Sequence, residues 1–144
     1  MDETSLRSTW AAMLAQAIAA QGRLDEALAL AEESRKLAAD DDFDSQSRWR
    51  RAESLVMAAR GRYDEAIRLA DEAVAITTDT EDIAHQGEAL VDLARALSGA
   101  GRDEEAAEVL GQALERYERK GNITSAQRVR SQLDELLSAT PEAT

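Results

Sequence analysis

The chain has no cysteine, one histidine and one proline in 144 residues. Without thiols there is no disulfide framework, no thiolate metal site and no cysteine nucleophile. The single proline, Pro141, lies near the C-terminus, so the rest of the chain lacks the residue that most strongly interrupts helices. Aromatic residues number only five, and 29 of the residues in the 44% hydrophobic fraction are alanine. A core built from them is thin in volume but lets helices approach closely. No run of alternating β-branched residues appears, which sets aside all-β and α/β architectures. The longest nearly apolar stretch, Trp10 to Ala20, contains Gln16 and is far short of a membrane span. No basic segment precedes it as in a secretory signal. A soluble, cytoplasmic protein with no membrane partner is expected.

Cations are the minority charge. Seventeen Lys and Arg against 29 Asp and Glu give a net charge of −12, which argues against a nucleic-acid partner, because such binding needs clustered cations to displace counterions. No phosphate-binding glycine loop, nucleophile elbow or metal-spaced histidine set is present. His85 lacks an accompanying nucleophile and orienting group, and reads as a partly exposed helical residue rather than a general base. Asp40-Asp41-Asp42 with Asp44 lacks the central glycine and terminal glutamate of a calcium loop and reads as a solvated acidic turn. No catalytic residue, metal ligand or cofactor is assigned, and enzymatic activity is not expected.

What the sequence does have is a repeat. Gly22-Arg23-Leu24-Asp25-Glu26-Ala27 returns as Gly61-Arg62-Tyr63-Asp64-Glu65-Ala66 and as Gly101-Arg102-Asp103-Glu104-Glu105-Ala106, at spacings of 39 and 40 residues. A period of this length marks stacked supersecondary units, none of which can bury its apolar face alone. Each glycine falls just past a helix, where a left-handed conformation ends it cheaply. The acidic pair then sits in the first turn of the next helix, at the positive end of its dipole. Ala27, Ala66 and Ala106, with Ser34, Ala73 and Ala113 at a second matching offset, are expected where helices touch most closely, although alanine is common throughout.

Helical periodicity predicts seven helices. The first runs over about 5–21 with Leu6, Trp10, Met13, Leu14, Ala17 and Ile18 inward. The second covers about 25–39 on Leu28, Ala31 and Leu37. The third follows a cap at Asp44 or Ser45 and reaches residue 60, burying Trp49, Ala52, Val56 and Ala59. The fourth spans about 64–77 with Ala66, Ile67, Ala70, Val74 and Ile76. Thr80 caps a fifth on Ile83, Leu90, Leu93, Ala94 and Leu97. The sixth spans about 103–120 with Ala106, Leu110, Ala113, Leu114 and Tyr117. The seventh, about 122–139, buries Ile123, Ala126, Val129, Leu133, Leu136 and Leu137. Residues 1–139 are expected to form one domain, with units at about 5–40, 44–79 and 81–120, a capping helix at 122–139 and a disordered tail at 140–144.

The pattern resembles the tetratricopeptide repeat, in which a small residue sits five positions after the turn glycine and larger apolar ones several positions before it. Leu14 and Ile18 in the first unit and Leu93 and Leu97 in the third match. The middle unit has Glu53 and Met57 there, so its first helix is expected to be rotated. The period exceeds the usual 34, and the usual proline between units is absent. Thr80-Glu81-Asp82 through Leu90-Val91-Asp92-Leu93-Ala94, and Tyr117-Glu118-Arg119-Lys120-Gly121-Asn122, are similar to the helical-repeat segment C-terminal to the cyclase-homology and ATPase domains of large bacterial regulators. No cyclase or ATPase activity carries over to these residues. The resemblance implies an all-α, right-handed α-α superhelix of three hairpins plus a C-terminal capping helix, serving protein–protein interaction in a signalling or regulatory protein.

In that pattern the first helix of each hairpin lines a concave face. Alignment on the glycines places Arg48, Arg51, Leu55, Val91, Asp92 and Arg95 toward it, with Ala12 and Gln16 from the first unit. Arginines in such a groove can clamp a partner's carboxylates; alternatively they neutralise acids on neighbouring helices. The expected partner is a protein or peptide, an acidic one being suited to those cations. A regulatory segment binding a small anionic ligand in the groove, and a homo-oligomerisation module of weak affinity, are the other readings.

Overall fold

Gly22, Gly61 and Gly101 adopt φ values of +81°, +77° and +80°, and Gly121 follows at +82°, the left-handed conformation that glycine adopts without steric cost. The computed structural model of the chain describes residues 3–139; the tail expected at 140–144 lies outside the described residues. These glycines mark four of the six junctions between seven helices, α1 (Glu3–Ala20), α2 (Leu24–Leu37), α3 (Phe43–Ala59), α4 (Tyr63–Thr78), α5 (Ile83–Gly99), α6 (Asp103–Lys120) and α7 (Ile123–Ala139). The described residues contain no strand. α1 packs on α2, α3 on α4 and α5 on α6; α3 also rests on α1 and α2, α5 on α3 and α4, and α7 closes against α6.

The repeated phrase has a second function beyond the helix dipole. Arg23, Arg62 and Arg102 occupy the N-cap positions of α2, α4 and α6 without a side-chain cap bond. Each guanidinium instead folds onto the glutamate three residues later, pairing Arg23 with Glu26, Arg62 with Glu65 and Arg102 with Glu105. Hydrogen bonds from Arg102 hold the Glu105 carboxyl below its ordinary range.

α3 and α5 are capped by aspartate. The Ser45 N–H donates to Asp42 Oδ1 at 3.1 Å, and the His85 N–H donates to Asp82 Oδ1 at 3.1 Å. The expected caps at Asp44 or Ser45 and at Thr80 are therefore corrected, since a cap must precede the N–H it satisfies by two or three residues. Thr80 stands outside the helix, donating to the Thr77 carbonyl at 2.7 Å and accepting from the Asp82 N–H at 3.3 Å.

Close packing follows the small residues. Ala27, Ala66 and Ala106 are fully buried, as are Ser34, Ala73 and Ala113. Fourteen residues before each turn glycine, the first helices carry Ser8, Ser47 and Gly87, which are also small and buried. Ser8 Oγ donates to the Ser34 carbonyl at 2.9 Å. At Gly87 the Tyr117 ring fills the space, so that a Cβ there would lie 2.7 Å from Tyr117 Cζ. The middle unit is not rotated, contrary to expectation. Met57 is buried just as Ile18 and Leu97 are, and Glu53 is buried at the offset of Leu93.

α1 reverses the expected face. Leu6, Trp10, Met13, Leu14 and Ala17 are exposed, while Ser8, Ala11, Ala12, Ala15 and Ile18 are buried. Both stripes satisfy helical spacing; the alanine stripe goes inward because α2 and α3 approach too closely for large side chains. Ala59, Ile123 and Leu137 are likewise exposed rather than inward, whereas Ala126 and Val129 bury α7 against α6.

Candidate partner-binding groove

The first helices of the hairpins and α7 border a groove of about 430 Å³. Gln16 from α1, Arg51 from α3, Glu88, Val91, Asp92 and Arg95 from α5, and Arg128 and Gln132 from α7 line it over Tyr117 and Val129. A more apolar recess of about 360 Å³ between α5 and α7 is lined by Ala94, Leu110 and Leu136, and shares Val91, Arg95 and Gln132 with the groove. Ala12, expected here, belongs to the core instead, because it lies on the inward alanine face of α1.

The charges in the groove are unequally committed. Arg51 donates from Nε to Asp92 Oδ2 at 2.6 Å and from Nη1 to Glu88 Oε2 at 3.2 Å. Burial works against its positive charge, but Asp92 and Glu88 outweigh that and hold its pKa above the ordinary arginine value. Arg95 reaches Asp92 Oδ1 at 3.3 Å and leaves 52% of its side chain exposed. Arg128 is exposed and has no ion pair among the described residues. In the groove itself three guanidinium groups face two carboxylates, and Glu135 adds a third carboxylate at the adjoining recess, so cations and acids are balanced here in a molecule of net charge −12. Burial, with Glu88 nearby, pushes the Tyr117 hydroxyl up to about 12, so it stays a neutral phenol. The buried Gln132 Oε1 has no hydrogen-bond partner among the described residues.

Of the six residues expected at the site, the structure brings Arg51, Val91, Asp92 and Arg95 together. Arg48 points elsewhere, donating to Asp44 Oδ1 at 2.8 Å and to His85 Nε2 at 2.6 Å. Since Nε2 accepts, the imidazole carries its proton on Nδ1, which lies 3.1 Å from Asp82 Oδ2. Leu55 is half-buried and does not line the groove. Arg128 and Gln132 were not expected, because no turn glycine follows α7 to fix its register, and Tyr117 of α6 was expected only as an inward core residue. Counting from the residue before each helix would have found the first two: Arg128 matches Arg48 and Glu88, and Gln132 matches Asp92. Among the described residues no cluster of His, Cys, Asp or Glu could hold a metal ion, and no helix is long and apolar enough to cross a membrane.

Residues 49–119 match the family model described as Tetratricopeptide repeat. None of the curated proteins matches the chain in sequence. Among solved structures, a TPR-like protein from Chlorobium tepidum TLS is similar in fold, with a TM-score of 0.64 and 20% identity over 92% of this chain and 98% of that one. Turn glycines, paired helices and both comparisons agree on the fold, which is that of a tetratricopeptide-repeat-like helical array.

Proposed function

We propose that the chain is a non-catalytic docking module whose groove receives an extended, acidic segment of a partner protein. Tetratricopeptide-like arrays generally act through protein–protein interaction. The observation that carries this reading is the pair Arg95 and Arg128. Two exposed guanidinium groups line the groove, and Arg128 has no ion pair among the described residues. A partner carboxylate would pair with the arginines, and an apolar side chain would enter the recess beside Val91 and Leu136. Arg51 and Asp92 brace the wall rather than contact the partner. The resemblance of Thr80–Ala94 and Tyr117–Asn122 to the repeat segments of bacterial regulators supports a place in cytoplasmic signalling.

Selection from a displayed peptide library, followed by titration of the retained peptides onto the wild type and an Arg95→Glu/Arg128→Glu variant, tests the proposal. Acidic peptides should be retained, bind less tightly as salt rises, and lose affinity for the variant. Retained peptides that lack acidic residues, or that bind both proteins equally, would overturn it.

A further inference from the structure

The exposed apolar face of α1 is the most anomalous surface of the molecule. Leu6 is 49% exposed, Trp10 64%, Met13 44% and Leu14 49%. Counted back from the turn glycine, Trp10 corresponds to Trp49 in α3 and Ala89 in α5, and Ala17 to Val56 and Ala96. All four counterparts are buried, and α3 and α5 are covered by the second helix of the preceding hairpin, α2 and α4 respectively. α1 therefore presents, uncovered, the face that the array elsewhere covers with a helix.

We infer that a second copy of this chain covers that face, through antiparallel pairing of the two α1 helices. The first reason is charge. Two molecules of net charge −12 repel over most of their surfaces, yet Ser8 through Gly22 contains no ionisable residue. Beyond Glu3 and Arg7 near its start, α1 is the neutral face on which they can meet. The exposed face at the other end of the array, around Ile123 and Leu137, is interleaved with exposed Arg128, Arg130, Asp134 and Glu135 and lacks that property.

The second reason is self-complementarity. Leu6, Trp10, Met13 and Ala17 follow one another at intervals of four, three and four residues, the seam spacing of paired helices. In an antiparallel pair with a twofold axis, Leu6 lies opposite Ala17 of the second copy and Trp10 opposite its Met13. The same two layers then recur by symmetry. Large meets small at the ends, and thioether meets indole in the middle, a favourable contact. The four large side chains expose on the order of 400 Å² per chain, the size of the largest apolar patch on an ordinary monomer, which is often functional. Two such patches bury about 800 Å² between them, below the roughly 1,200 Å² of standard specific interfaces, so the dimer is expected to be weak and reversible.

Sedimentation equilibrium of the wild type from micromolar to millimolar concentration, beside Trp10→Glu and Met13→Glu, provides the test. The wild type should dimerise reversibly, with a blue shift of Trp10 emission. Both variants should keep wild-type helicity and associate at least about tenfold more weakly, as for a central aromatic anchor. Because the chain has no cysteine, mixing Leu6→Cys with Ala17→Cys protein reads the orientation, and the mixed disulfide should form faster than either homodimeric one. A wild type that stays monomeric, a dimer that survives both glutamate variants, or preferential homodisulfides would each overturn the inference.

Discussion

Arg51 of α3 and Asp92 of α5 meet at 2.6 Å with each side chain only 9% exposed, joining the second and third hairpins by a charge-assisted hydrogen bond at the groove wall. Glu88 adds a second contact at 3.2 Å. The sequence placed Arg51 at the concave face, and it is there, but its charge is already answered within the fold.

Breaking this pair should be costly. Arg51→Ala leaves Asp92 buried without its cation and is expected to lower stability by about 3–5 kcal/mol, whereas replacing both members by apolar residues, Arg51→Met with Asp92→Leu, should recover much of the loss. Urea denaturation of the three proteins checks this. An Arg51→Ala midpoint equal to wild type would show that the pair does not stabilise the hairpin junction.

Two glycines should respond to alanine with opposite signs. At Gly87 the new methyl would meet the Tyr117 ring at 2.7 Å, and overpacking of this kind costs ~1–3 kcal/mol. At Gly111, inside α6 and exposed, a Cβ meets nothing within 4 Å, so Gly111→Ala should gain about 0.5–1 kcal/mol from helix propensity. Thermal melts of both variants provide the comparison. A destabilised Gly111→Ala would contradict the open space around α6.

The alanine register makes a parallel prediction. Ala66 is fully buried where α3 and α4 touch, and Ser54 Oγ donates to its carbonyl at 2.8 Å, while Ala29 faces solvent. Ala66→Leu should cost ~1–3 kcal/mol, and Ala29→Leu should stay within about 0.5 kcal/mol. Equal denaturation midpoints would remove the packing meaning of the repeat offset.

Glu53 should make stability depend on pH. Burial first, then the charge of Glu32, raise its pKa above the ordinary glutamate value, with Arg35, Arg68 and Arg50 opposing. The folded state therefore holds this proton more tightly than the unfolded chain does. Stability is lost as pH rises from the unfolded value through the raised folded one. Glu53→Gln should be more stable than wild type at neutral pH, with the gap closing as pH falls below the ordinary glutamate range. Melting both proteins across that range tests it, and a constant gap would rule out Glu53 as the source.

Helix number, hairpin pairing and the turn glycines were legible because a 39–40-residue repeat samples the same geometry three times. The buried face of α1 was not, because in an alanine-rich helix hydrophobic periodicity favours whichever stripe carries the larger side chains. Leu6, Trp10, Met13 and Leu14 outweighed Ala11, Ala12 and Ala15, although only the latter fit between closely spaced helices. The caps at Asp42 and Asp82 were displaced by neighbouring Asp44, Ser45 and Thr80, which have equal capping chemistry. At the groove, Arg51, Val91, Asp92 and Arg95 were found from the glycine frame. Arg128 and Gln132 lie beyond the last turn glycine that frame could use.

The most direct test of the docking groove is to map a bound peptide on the protein by amide chemical-shift perturbation. A selected acidic peptide should shift Val91, Arg95, Arg128 and Gln132 and their helical neighbours, in a salt-sensitive manner, and leave the exposed faces of α2 and α4 unmoved. Perturbations concentrated on α2 and α4, with those four residues unaffected, would contradict it.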